Sequence, residues 1–275
     1  EINNAIFSIQ KNGYAILKNV FNEHEILKSI EFLEKYKFDN IKEDDQNENH
    51  KSFHGNNALV INNLHTKSLF FWDLISHKVI KKICDEILNK YSYKNSEGYI
   101  LVGSAIRSLY GKNSSQQLHI DSNLPGCNHI LGLQFCIPLD SFNSTNGATQ
   151  IVKGSASYKE YPPNGNKFND ELKNKLELLV MEPRDLAIFN TCIWHSSSEK
   201  KSNGRRASIF LNFGRWFLKQ SFDNANNIPK YIFQELSEEQ QKIAGCYCQV
   251  PFDENERTSR KSSFPIVRKY INQND

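Results

Sequence analysis

What this chain lacks narrows its chemistry before anything it contains does. Its 275 residues hold no run of about 18 apolar residues, so no membrane-spanning helix is expected. The first residues show no basic-then-apolar leader pattern, and a soluble, non-secreted, cytoplasmic protein is the expectation. Neither sign of charge is in excess. With 34 Lys and Arg against 31 Asp and Glu, a formal net charge of +3 gives no argument for a nucleic-acid partner. The six cysteines fall in no CxxC or zinc-ribbon spacing, and their scatter fits a reducing compartment. There is no HExxH helix, no Gly-rich nucleotide loop and no G-x-S-x-G elbow, which sets aside zinc proteases, nucleotide enzymes and serine hydrolases. A Pro/Ser linker, an internal repeat and a low-complexity boundary are also missing. One domain over 1–275 is expected, with a helical part to about 95, a β core over about 96–220, and a helical extension and tail over 221–275.

Against these absences stands Gln117-Leu118-His119-Ile120-Asp121. In an extended backbone, alternate side chains share a face, so the imidazole of His119 and the carboxylate of Asp121 project together. Far downstream, Trp194-His195-Ser196 follows a turn and a strand-like run, Arg184–Asn190, and supplies a second imidazole. Two His and one carboxylate form a facial triad, which holds Fe(II) and leaves three coordination positions open. The remaining histidines (His24, His50, His54, His65, His77 and His129) lack a metal-ligating partner at useful spacing and read as surface or hydrogen-bonded core residues. After a polar loop, Arg205-Arg206-Ala207-Ser208-Ile209-Phe210-Leu211-Asn212-Phe213 reads as a strand returning beside His195. An arginine there offers a planar fork matched to a carboxylate. The pairing of that arginine with a metal suggests a dicarboxylic cosubstrate.

The wider pattern is helical first and β afterwards. Asn22 and Glu25 precede Ile26, Leu27, Ile30 and Leu33 in a capping-box pattern with a helical apolar stripe. A second helical region runs from about Phe70 to Tyr91. Strands are expected over 99–109, 116–121, 129–139, 148–152, 176–180, 185–190 and 206–216, and short helices at Pro229–Gln234 and Ser237–Ala244. The polar segment 39–57 reads as a surface loop, and the basic residues from Arg257 to Lys269 as a solvated tail.

Four segments in order carry a resemblance to the phytanoyl-CoA dioxygenase family of Fe(II)/2-oxoglutarate-dependent oxygenases. They are Asn12-Gly13-Tyr14-Ala15-Ile16-Leu17; His119 with Asp121; Asn146-Gly147-Ala148-Thr149 running on to Gly154-Ser155; and His195 with Arg206 eleven residues later. Lys153 and Ala156 depart from the Pro and His usual in the third segment. The similarity covers roughly residues 12 to 217.

The resemblance implies a mainly β fold with flanking helices, built on a double-stranded β-helix or jelly roll. It implies Fe(II) on His119, Asp121 and His195, with 2-oxoglutarate as cosubstrate and O2. Arg206 and Ser197 become the cosubstrate residues, and hydroxylation of a small molecule with release of succinate and CO2 becomes the reaction. Desaturation and cyclisation are variants of it. Because Asp121 fills the coordination site a halide would need, halogenation is not expected. Arg107, Asn123, Tyr158, Asn164 and Trp216 are candidates for the substrate mouth, and alternation along 206–216 places Trp216 rather than Arg215 inward. Two other readings stay open: a jelly-roll module that binds a metal or ligand without catalysis, and an oxygenase acting on a protein or carrier-tethered substrate. The family accepts many chemistries, so membership does not choose the substrate.

Overall fold

A computed structural model describes residues 1–40, 58–91, 98–163, 170–248 and 254–255, with backbone only for 37–40. Asn164, His50, His54, most of the 39–57 loop and the basic tail lie outside these described residues.

The first element is α1 (Ile2–Asn12), and it stops because Gly13 takes the left-handed conformation, φ 90°, with its N–H donating to the Ile9 carbonyl at 3.0 Å. A side chain at Gly13 would also meet Ile193 Cδ1 at 2.9 Å, so two constraints select glycine there. The chain then enters β1 (Tyr14–Leu17) and α2 (Glu23–Asn40). The expected capping box forms. Glu25 N–H donates to Asn22 Oδ1 at 2.9 Å, and Asn22 N–H donates to Glu25 Oε2 at 2.7 Å.

The remaining strands are β2 (Ala58–Asn62), β3 (Tyr99–Tyr110), β4 (Gly132–Pro138), β5 (Thr149–Val152), β6 (Leu176–Leu178), β7 (Leu186–Asn190), β8 (His195–Ser197) and β9 (Arg205–Arg215). They form a six-stranded sheet in the order β1-β7-β4-β9-β3-β2 and a three-stranded sheet in the order β6-β5-β8. The described pairings are antiparallel. This is the mainly antiparallel, helix-flanked jelly-roll architecture expected, with sequentially distant strands brought together as neighbours.

Three expectations are corrected. Residues 116–121 are not a strand; they touch β8 through one isolated bridge, His119 with His195. The region 70–91 is broken into α3 (Leu69–Ile75) and α4 (Lys78–Ile87), because His77 caps the second helix by accepting the Val79 N–H on Nδ1. Trp216 does not point inward. It lies beyond the end of β9, is 42% exposed and stands edge-on to Phe217, whereas Arg215 is buried. The guanidinium of Arg215 donates to the carbonyls of Leu88 and Lys90 at 2.8 and 3.0 Å, just past the C-terminal end of α4. Helix-end carbonyls left without intrahelical donors pull that side chain in.

The chain divides into two compact units. One comprises Glu1–Ile61 with Ala105–Phe210, and the other Asn62–Ser104 with Leu211–Asp275, so the division falls within β3 and β9. In the first unit, Cys136, Phe142, Ala148, Ile151, Met181, Ala187, Phe189 and Ile193 form a core cluster. In the second, buried His65 is a hydrogen-bonded core residue, as the sequence suggested. Its Nδ1 lies 3.0 Å from Ser104 Oγ and its Nε2 lies 2.9 Å from Asn227 Oδ1.

Burial, reinforced by Lys67 and opposed by the Asn227 contact, pushes His65 down to about 4. A depressed histidine leaves the unfolded chain binding more protons between the two pKa values, so stability falls as the pH drops through that window. Moving from about pH 7 to about pH 5 should remove about 2 kcal/mol through this residue. Urea unfolding at both pH values checks it: His65→Gln should lose measurably less on acidification than the parent protein, and an equal loss would contradict the assignment.

Candidate metal centre

The three candidate ligands converge. His119, Asp121 and His195 each offer one ligand atom, and these atoms all lie within 4.8 Å of one another. Backbone pairing accounts for this. His119 and His195 exchange both N–H···O bonds at 3.0 Å, and Asp121 N–H donates to the Thr191 carbonyl at 2.9 Å. The segment therefore stays extended against β8 without forming a strand, which preserves the alternation that puts His119 and Asp121 on one face.

Ring orientation is set by the second nitrogen of each imidazole. His119 Nδ1 lies 2.9 Å from the Gln117 carbonyl and His195 Nδ1 lies 3.1 Å from the Ile193 carbonyl. A carbonyl only accepts, so Nδ1 carries the proton in both rings and each Nε2 presents a lone pair. His195 Nε2 stands 3.7 Å from Asp121 Oδ2, and the two ring centroids are 4.3 Å apart. Two donors about 2.1 Å from a shared ion at a right angle are about 3 Å apart, so small side-chain adjustments close the set around one ion. His119 is pushed down to about 4 by burial first and by His195 second, with Arg107 adding to the effect and Asp121 opposing it. Its ring is neutral near neutral pH, the state that binds a metal. Two imidazoles and a carboxylate are a donor set suited to Fe(II).

The same compact unit holds a buried arginine. Arg206 is fully buried, donates one N–H to the Gly147 carbonyl and stacks over Phe142 at 4.7 Å. Its Nε and Nη1 have no hydrogen-bond partner among the described residues. Burial pushes this guanidinium down to about 10. Asp140, whose charge reaches it, is already bound through both oxygens at 2.9 Å to Arg205, which turns the other way and also meets Glu34. A buried cation with two open donors calls for an anion.

The Asn-Gly-Ala-Thr segment builds this region rather than its chemistry. Gly147 has φ 76° and lies against Ser198 and Lys200, while Thr149 pairs with Ser197 and Ile151 with His195. Ser155 Oγ accepts the Trp194 N–H at 2.8 Å, which fixes the residue before His195.

The structure brings Ser197 and Arg107 to the same neighbourhood, with Arg107 Nη1 3.5 Å from Ser197 Oγ. Tyr158 goes elsewhere. It packs edge-on to Trp194 at 5.1 Å and accepts from Lys175. Trp194 clusters with Leu118 and Val152, whereas the His195 ring contacts Phe189, so Tyr158 sits on the reverse face of β8. There it lines a cavity of about 590 Å³ with Glu160, Tyr161, Lys175 and Trp194. Asn123 is exposed and its carbonyl accepts from Tyr161 Oη at 2.8 Å. Trp216 lies in the second unit.

Two residues escaped the sequence reading. Gln116 accepts the Ser197 N–H on Oε1 at 3.1 Å, and its place three residues before His119 was the available signal. Lys200 is 1% exposed, with Nζ donating to the Ser202 carbonyl and hydroxyl at 2.8 and 3.0 Å. Nothing in the polar loop 196–204 distinguishes it from solvated neighbours.

The chain is similar to several known proteins. It is 24% identical over 194 residues to the iron/alpha-ketoglutarate-dependent dioxygenase ausO of Aspergillus calidoustus, covering 67% of this chain and 62% of that one. It is 25% identical over 122 residues to the uncharacterized protein Rv1501 of Mycobacterium tuberculosis, covering 44% and 43%. The chain thus spans between about two fifths and three fifths of the length of these curated relatives. Among solved structures it resembles HygX of Streptomyces hygroscopicus, with nickel and 2-oxoglutarate bound, at TM-score 0.58, 14% identity and coverage of 79% and 88%. It also resembles SnoN, the non-heme alpha ketoglutarate dependent epimerase from nogalamycin biosynthesis, at TM-score 0.60, 13% identity and coverage of 78% and 80%. These two likenesses are of fold. The family model for phytanoyl-CoA dioxygenase (PhyH) matches residues 9–208 continuously, a span that runs from the opening glycine turn through the His119 bridge to Arg206. The chain belongs to the phytanoyl-CoA dioxygenase (PhyH) family.

Proposed function

We propose that this protein is an Fe(II)- and 2-oxoglutarate-dependent oxygenase that hydroxylates a small molecule and releases succinate and CO2. The observation that carries the reading is the pairing of two features in one unit: a His-Asp-His set whose ligand atoms converge and whose two Nδ1 atoms are held by backbone carbonyls, and a fully buried arginine with two donors unmet among the described residues. An inactive jelly-roll module would have no reason to keep both.

His119, Asp121 and His195 would hold the metal on one side and leave the other positions for cosubstrate and O2. When bound, iron with 2-oxoglutarate and O2 supplies an oxidant able to attack an unactivated C–H bond. Arg206 would neutralise the distal carboxylate through Nε and Nη1, with Ser197 beside it. The Gln117 and Ile193 carbonyls hold the imidazoles in the ligating tautomer, so the site is arranged before the metal arrives. Relatives in the fold with hygromycin B or nogalamycin RO bound support a free small molecule as the substrate.

The test is succinate release from 2-oxoglutarate, with Fe(II) and ascorbate, across a metabolite panel. A substrate should raise succinate well above the uncoupled level, and no stimulation by any small molecule, with stimulation by a carrier-tethered one, would overturn the substrate class. The product gives a further expected outcome. Asp121 occupies the position a halide would need, so in excess chloride the product mass should rise by one oxygen, or fall by two hydrogens for desaturation or ring closure. A chlorinated product with Asp121 intact would contradict the coordination argument.

A further inference from the structure

Within the first unit, two rows of side chains meet across the core. On the smaller sheet Glu177 pairs with Ile151, Ile151 pairs with His195, and His195 bridges to His119, so these four side chains stand in line across the strands. On the larger sheet Tyr14 and Gln134 are the cross-strand partners of Phe189, one on each side of it. Two contacts fix how the rows meet. Tyr14 Oη donates to Glu177, and the Phe189 ring stands 5.0 Å from that of His195. Gln134, next in the larger row, is thereby set opposite the end of the smaller row that holds the two imidazoles.

The other residues of β4 are buried, yet Gln134 is only partly so, and its Oε1 is enclosed with no hydrogen-bond partner among the described residues. An enclosed acceptor that meets no donor is costly, and folded proteins keep few of them. Along the same face, Cys136 is packed into the core, while Gly132, two residues the other way, has no side chain. Thr191 ties that second end to the metal ligands. Its N–H donates to the Gly132 carbonyl at 3.1 Å, and its carbonyl accepts the N–H of exposed Asp121 at 2.9 Å. Arg206 lies towards the opposite end, on the carbonyl of Gly147, two residues before the Thr149 that pairs with Ser197. A cosubstrate reaching from the metal to Arg206 would run away from the open side of Gln134.

We propose that Gln134 is a specificity-determining residue for the primary substrate, its Oε1 accepting a hydrogen bond from a hydroxyl or amine beside the carbon attacked. The inference rests on the oxygenase reading above and adds a chemical feature of the substrate to it. A purely hydrocarbon segment presented to the metal leaves the amide unmet and is disfavoured.

The test separates substrate from cosubstrate. Loaded with Zn(II) and titrated calorimetrically with 2-oxoglutarate, Gln134→Leu should bind it within about twofold of the parent. Its ligand-free melting temperature should stay the same or rise, because an unmet acceptor is removed. With Fe(II), 2-oxoglutarate and the metabolite that most raises succinate release, kcat/KM should fall about ten- to hundredfold. The same metabolite with its hydroxyl or amine replaced by hydrogen should be a poor substrate for the parent, and the two proteins should treat it alike. Gln134→Met replaces Gln134→Leu should that variant fail to fold.

Unchanged kcat/KM would overturn the assignment. So would weakened 2-oxoglutarate binding, which moves Gln134 to the cosubstrate, or a lower ligand-free melting temperature in both apolar variants, which makes it structural. Parent protein that binds no 2-oxoglutarate would instead bring down the oxygenase reading. Parent whose succinate release no metabolite raises would bring down its small-molecule substrate, and Gln134 would fall with either.

Discussion

Replacing His195 by Ala should remove metal binding altogether at concentrations where the parent protein is saturated. Three donors define the site, and its ligand atoms already lie within 4.8 Å of one another. Loss of partners that merely orient a ligand costs about 10- to 100-fold in affinity, so loss of a ligand itself should exceed about 100-fold. His119→Ala and Asp121→Ala should behave the same way, with Asp121→Ala losing most because it removes the negative charge. Equilibrium dialysis against Fe(II) under anaerobic conditions, or Zn(II) in air, measures it directly. The folded state should survive each change. His195 sits at the end of a three-residue strand whose register is held by backbone bonds to His119 and by the pairing of Ile151. Circular dichroism should be unaltered, and near-parental metal affinity in any two of the three variants would place the metal elsewhere.

The second large effect belongs to Arg206. Arg206→Leu should raise the 2-oxoglutarate concentration needed for half-maximal succinate formation by roughly two to three orders of magnitude. A buried charge pair broken on one side costs about 3–5 kcal/mol, and about 1.4 kcal/mol is tenfold in affinity. Arg205→Leu should change that requirement by less than about threefold, because its guanidinium is bound to Asp140 on the other side of the strand. The stability pattern should be the reverse. Arg205→Leu leaves Asp140 without its bidentate partner, although Asp140 Oδ2 keeps the Ala207 N–H at 2.8 Å, and this variant should melt lower. Arg206→Leu removes a buried cation with two donors unmet among the described residues and should melt no lower than the parent. If Arg205→Leu proved the cosubstrate variant, β9 would face the opposite way.

That these adjacent arginines face opposite ways was legible in the sequence because both lie at the start of a continuous strand, where alternation is strict; the assignment of Arg206 to the cosubstrate came from its spacing to His195 in the family resemblance and is a proposal. The same rule failed ten residues later. At Arg215 the strand ends, and three carbonyls at the end of α4, those of Ile87, Leu88 and Lys90, capture the guanidinium and bury it. Alternation describes sheet faces and carries no information about a helix terminus that is distant in sequence. The His119–Asp121 face was read correctly for a partly mistaken reason: the segment is extended through one bridge and an anchor to Thr191, not through a strand.

What stayed hidden has a common cause. The strand His195–Ser197 is short and polar, and only its pairing with Thr149–Ile151 defines it. Lys200 looks like any loop lysine until Ser202 and the surrounding chain enclose it. Tyr158 was assigned to the substrate mouth from its position after a strand, yet the turn at Gly154 and the Trp194 ring take it to the reverse face of β8. Each depends on contacts between segments well separated along the chain, which local pattern does not encode.

One measurement addresses the proposed metal centre and the proposed cosubstrate site together: anomalous scattering from crystals grown anaerobically with Fe(II) and 2-oxoglutarate. The expected result is a single iron peak about 2.0–2.3 Å from His119 Nε2, His195 Nε2 and an Asp121 carboxylate oxygen. The 2-oxo end of the cosubstrate should lie on the metal, and its far carboxylate against Arg206. An iron peak bounded by other residues, or 2-oxoglutarate density that leaves Arg206 without a carboxylate, would contradict it.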